Sequence, residues 1–110
     1  MSGAVRHWLN QRISSLILIP LVGWLLWATT RLAGADYATS VDFVTRPFNA
    51  VMIFLVAIIA FYHAQLGLQV IYEDYVPEPW ATYLKSLTRI ACIVGWLAVP
   101  AAILRLAAGA

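Results

Sequence analysis

Charge is what this sequence has least of. Asp, Glu, Lys and Arg make up 11% of its 110 residues, against about 25% in an ordinary soluble domain. The seven basic residues are scattered, so the basic stripe of a nucleic-acid binder is missing. One cysteine, Cys92, excludes an internal disulfide and any CxxC metal or redox motif. Inside the apolar run Ile90–Leu104 it reads as a small packing residue. No glycine-rich nucleotide fingerprint occurs either.

What is present is apolar surface in excess. The chain is 63% hydrophobic, with a mean hydropathy of +0.82. A chain this short cannot bury such an excess in a core of its own, because small domains hide the smaller share of their surface. The surplus must face lipid or other chains. Formal charges divide the sequence into three apolar blocks, Ile13–Thr30, Pro47–Tyr72 and Ile90–Leu104. A membrane-spanning helix needs roughly 20 apolar residues. Arg89 and Arg105 lengthen the third block by laying their stems along the helix and their heads in the headgroup layer. The reading is an all-α membrane protein, one anchor domain over residues 1–110, with spans at about 13–32, 47–72 and 88–106.

The first block is too long for the apolar region of a cleavable leader and is read as a span. The first helix is expected to start at about Asn10–Arg12, after an interfacial stretch Arg6–Leu9. Pro20 lies inside it, and Ser14 or Ser15 is expected to help satisfy the carbonyl it frees. The links Ala33–Arg46 and Glu73–Thr88 are read as polar connections, the second interrupted by Pro77 and Pro79. Arg6, Arg12, Lys85 and Arg89 lie on one side of the membrane, and Arg31, Arg46 and Arg105 on the other. Four against three leans towards a cytoplasmic N-terminus.

The informative segment is Phe61–Val76. His63 lies deep in the second span, where an ionisable side chain is expensive and commonly marks a functional path. At ~100° per residue, His63, Gly67, Val70 and Asp74 share one helix face. Gly67, one turn from the imidazole, either lets a partner helix approach or leaves a gap for a porphyrin whose iron the imidazole ligates. One histidine is one ligand. His7 precedes the first span, near the surface, and cannot be the second, so a bis-histidine haem needs a partner chain. Asp74 and Tyr75 lie at the membrane boundary. A tyrosine hydroxyl there can donate to a quinone carbonyl while the neighbouring carboxylate orients it, or the ring can serve in the interfacial belt. Glu73 reads as solvated, and Trp8, Tyr72, Trp80 and Tyr83 as anchors.

The pattern His63-x3-Gly67-x6-Asp74-Tyr75 followed by a proline, three spans and an early arginine resemble the hydrophobic membrane anchor subunit of bacterial succinate dehydrogenase (succinate:quinone oxidoreductase, respiratory complex II). The resemblance runs the whole chain. It implies that His63 is the axial ligand of haem b, iron being its metal, with Gly67 beside it. It implies that Tyr75, Asp74 and Arg12 serve the ubiquinone site. It also implies a helical bundle with a cytochrome b556-type sister anchor subunit that supplies the other histidine. A flavoprotein subunit and an iron–sulfur subunit complete the enzyme in the inner membrane, with a cytoplasmic N-terminus and a periplasmic C-terminus. A cofactor-free three-helix assembly or structural protein accounts for the spans equally well, but not for the residues gathered on the second helix.

Overall fold

The computed structural model describes residues 2–109, which contain four helices and no strand. They are α1 (Gly3–Leu32), α2 (Tyr37–Thr45), α3 (Pro47–Tyr75) and α4 (Trp80–Ala107). Three of them, α1, α3 and α4, are long and apolar enough to cross a membrane. The body measures 48 × 27 × 25 Å, close to the ~40–45 Å of a bilayer with its headgroups. α3 lies in the middle, packed on α1 along one side and α4 along the other, and α2 packs against α3 and α4. Buried hydrophobic residues are few: Leu21, Ala28, Ala81 and Cys92. Large apolar side chains such as Leu16, Ile19, Leu26, Val94 and Leu97 are exposed, as a surface built for lipid or partner helices demands.

Four local features differ from the sequence expectation. α1 begins at Gly3 rather than near Asn10, because Ser2 caps it by accepting from the Val5 amide at 3.2 Å. Its 30 residues span about 45 Å, more than the ~30 Å hydrocarbon core, so the first turns carry polar residues beyond the core. The first link contains α2, capped by Asp36, whose Oδ1 accepts from the Thr39 amide at 2.8 Å. The second link shrinks to Val76–Pro79, because α4 starts at Trp80. There Glu78 Oε2 accepts from the amide (3.2 Å) and the hydroxyl (2.6 Å) of Thr82, satisfying a donor that the helix start leaves open. Finally, Ser14 and Ser15 do not serve the carbonyl freed by Pro20. They donate to the Gln11 and Arg12 carbonyls at 3.0 and 2.8 Å.

Small residues bring the helices together. A Cβ on Gly95 of α4 would stand 2.7 Å from the Phe61 ring of α3, and the Cys92 thiol lies 3.6 Å from the Phe61 carbonyl. Cys92 is therefore a buried packing residue of the α3–α4 seam. At the far end, Trp24 and Trp27 of α1 cluster with Phe43 of α2. Buried Asn49 donates to the Phe43 carbonyl at 2.9 Å, which ties the end of α2 to the start of α3.

Candidate functional site

α1 and α3 run antiparallel, and the face of α3 that carries His63 is turned towards α1. Ser14 Oγ lies 2.8 Å from His63 Nδ1, and Ser14 is 5% exposed. One turn along, the Cβ position of Gly67 is 3.3 Å from Gln11 Nε2. Gly67 is thus the point where α1 approaches α3, and Gln11 occupies the space beside it. The open space beside His63 lies elsewhere. An apolar groove of about 510 Å³ is lined by Ser15, Leu18, Ile19, Val22, Gly23, Leu26 and His63. A Cβ on Gly23 would meet nothing within 4 Å, so the small residue that opens this groove is on α1.

The same seam continues towards the start of α1. His7, Gln11 and Ser14 follow one another at helical spacing and all face α3. A crevice of about 710 Å³ between the helices is lined by His7, Trp8, Gln11, Gln69, Val70 and Glu73, among others. His7 Nε2 and Gln11 Oε1 are buried without a hydrogen-bond partner. From its place before the first apolar block His7 is expected near the surface; the early start of α1 carries it into this crevice. The signal was there in polar residues 7, 11 and 14, followed by buried Leu21 and Ala28, one stripe of α1.

Tyr72 is a second residue that its sequence reading undervalued. Read from the sequence as an anchor, it is half-buried and shares a hydrogen bond of 2.9 Å with Thr88. Gln65, Gln69, Tyr72, Lys85 and Arg89 line a polar pocket of about 240 Å³ there, between α3 and α4. Gln65, Gln69 and Tyr72, at i, i+4 and i+7, were the readable sign of that face. Glu73 accepts from Gln69 at 3.0 Å and pairs with Lys85 at 3.5 Å, on the exposed side.

The residues of the helix end stay apart. Asp74 and Tyr75 are exposed, and the Arg12 guanidinium lies over the Trp8 ring at 5.3 Å. Among the described residues no hydrogen bond or ion pair joins Arg12, Asp74 and Tyr75. Tyr75 is twelve residues beyond His63 on one helix, about 18 Å along its axis. The chain therefore offers two separate polar levels, a histidine at depth and an acid–tyrosine pair at the boundary.

The sequence matches a known family over nearly the whole chain. The family of the succinate dehydrogenase/fumarate reductase transmembrane subunit matches residues 3–104. The chain belongs to that family. Its curated relatives include a succinate dehydrogenase hydrophobic membrane anchor subunit of Rickettsia bellii, 39% identical over 64% of this chain and 56% of that protein. That alignment thus spans little more than half of the Rickettsia bellii protein. A protein of the same name from Rickettsia felis is 37% identical over 80% of this chain and 74% of its own length. A succinate dehydrogenase membrane anchor subunit of Reclinomonas americana is 34% identical over 64% of this chain and 61% of that protein. No solved structure matches. Membership makes this a multi-pass transmembrane subunit, and the apolar exterior of α1, α3 and α4 is its lipid- and partner-facing surface.

Proposed function

We propose that this transmembrane subunit anchors a succinate:ubiquinone oxidoreductase in the bacterial inner membrane and shares haem b with a cytochrome b556-type sister anchor subunit. The family match over residues 3–104 carries the anchor reading, and relatives so named in Rickettsia support it. The haem reading is supported by His63. Its Nδ1 is engaged by Ser14, its ring borders the apolar groove, and Gly23 leaves the groove wall flat. An imidazole nitrogen is a ready axial ligand to haem iron, so these residues fit the group. When bound, haem supplies reversible one-electron transfer. His63 would hold the iron from this side, while Leu18, Ile19, Val22 and Leu26 keep water from the ring. Among the described residues no group of three His, Cys, Asp or Glu converges. One ligand from this chain and a histidine from the sister subunit meet that composition.

The boundary level is the quinone level in this reading. The Tyr75 hydroxyl donates to a ubiquinone carbonyl, Asp74 orients that hydroxyl or a water, and Arg12 holds positive charge at the same side. Succinate is oxidised by the flavoprotein subunit, and an iron–sulfur subunit delivers the electrons. The exposure of Asp74 and Tyr75 leaves their faces open to such partners. Affinity purification of the tagged chain from detergent-solubilised membranes tests the proposal. It should bring three further subunits and a low-spin haem spectrum that His63→Ala removes. A chain that purifies without them, or a wild-type spectrum in His63→Ala, overturns it.

A further inference from the structure

Ser14 is buried in the α1–α3 interface, and its hydroxyl has two neighbours at hydrogen-bonding distance. Oγ donates to the Gln11 carbonyl at 3.0 Å, and His63 Nδ1 lies 2.8 Å from the same oxygen. A hydroxyl has one proton and two lone pairs. When that proton goes to Gln11, the 2.8 Å contact calls for a proton on Nδ1, donated to Ser14 Oγ. The chain His63 Nδ1–H to Ser14 Oγ–H to the Gln11 carbonyl leaves every member satisfied. That arrangement corresponds to one tautomer, since a neutral imidazole protonated at Nδ1 carries its lone pair on Nε2. Among the described residues Nε2 has no hydrogen-bond partner, and His63 borders the apolar groove.

We propose that Ser14 is the positioning residue that holds His63 as the Nδ1–H tautomer and presents Nε2 as the ligand nitrogen. This inference rests on the haem reading above and adds to it the residue that orients the ligand. A hydrogen bond from the distal ring nitrogen fixes the orientation of a ligating histidine and raises its basicity, which favours the more oxidised metal. The Gln11 carbonyl, by accepting from Ser14, keeps the serine proton from competing for Nδ1. Ser14 thus acts through His63 and touches neither haem nor quinone.

The test uses the assembled, membrane-purified complex carrying Ser14→Ala, Ser14→Thr or His63→Ala. Haem content is read against the flavin of the flavoprotein subunit, and the haem midpoint potential by potentiometric titration. Removing an outer partner of a metal ligand commonly costs about 10–100-fold in metal affinity. Ser14→Ala should therefore assemble with weakened haem retention and a raised potential. A tenfold loss of preference for the ferric form corresponds to about 59 mV. Ser14→Thr, which keeps the hydroxyl, should restore both. A wild-type potential and haem content in Ser14→Ala overturns the proposal. Loss of assembly in Ser14→Ala and Ser14→Thr alike also overturns it, making Ser14 a packing position. His63→Ala separates the two levels: a wild-type haem spectrum there removes the haem reading itself. Haem loss in His63→Ala with no effect of Ser14→Ala removes only the role of Ser14.

Discussion

Tyr75 closes α3 with 82% of its surface exposed, and no hydrogen bond engages its hydroxyl among the described residues. In the proposed function this phenol donates to a quinone carbonyl. Tyr75→Phe keeps the ring and removes one hydrogen bond, worth about 0.5–1.5 kcal/mol net and more to a developing negative charge. At about 1.36 kcal/mol per decade, quinone reductase turnover should fall about tenfold. Succinate oxidation with a soluble acceptor that draws electrons ahead of the quinone should stay unchanged. Equal losses in both assays would make Tyr75 an assembly residue, and no loss in either would return it to the interfacial belt. Gly67 teaches a different lesson at this scale. A glycine one turn from a histidine is compatible with a cofactor gap or with a helix contact, and the 3.3 Å approach of Gln11 is the contact. The open wall beside His63 belongs to Gly23, which no residue of α3 announces.

Among the elements, α2 shows how a short helix is fastened. Its start is capped by Asp36, and the bonds from the Thr39 side chain and amide hold the Asp36 carboxyl below its ordinary range. The folded pKa is lowered, so the cap's contribution is fully present above the ordinary carboxylate pKa. It fades as pH falls through the lowered value. Hydrogen exchange at the Thr39 amide should therefore accelerate on acidification relative to Asp36→Asn, which caps without titrating. Equal pH profiles for the two would show that the carboxylate does not hold α2. The other end is held by Asn49, whose amide satisfies one of the carbonyls that the last turn of α2 leaves open. Between these two side chains the polar-looking first link becomes a helix lying against α3 and α4.

For the molecule as a whole, the decisive quantity is the apolar surface left uncovered. α1, α3 and α4 form a layer with α3 in the middle, and such a layer cannot shield its outer faces from water. Such faces suit the lipid of a bilayer or the helices of other subunits. In the proposed function, a cytoplasmic N-terminus agrees with the basic residues near the span ends and puts Tyr75 on the side of the iron–sulfur subunit. A reporter fused after Ala110 that is active only in the cytoplasm should be silent, while the same reporter at the N-terminus should be active. The reverse pattern would place Tyr75 on the periplasmic side and exclude it from that partner.

The three charge-free blocks determined the fold class by themselves, because spanning a bilayer requires long apolar runs and little else. His63 stands out in the sequence for the same reason, as a costly polar group in the second apolar block. Helix limits do not. Apolarity marks where lipid begins, whereas side chains that accept from first-turn amides, such as Ser2 and Glu78, mark where a helix begins, so α1 and α4 start turns earlier than their apolar blocks. What faces His63 was decided only by tertiary structure. Ser14 and His63 are 49 positions apart, and neither segment alone fixes the antiparallel register between α1 and α3. That register comes from close packing, with Gly67 admitting Gln11 and Ser14 reaching the imidazole one turn further on. Shape complementarity between two helices is a property of both surfaces together, and it exists only once they are assembled.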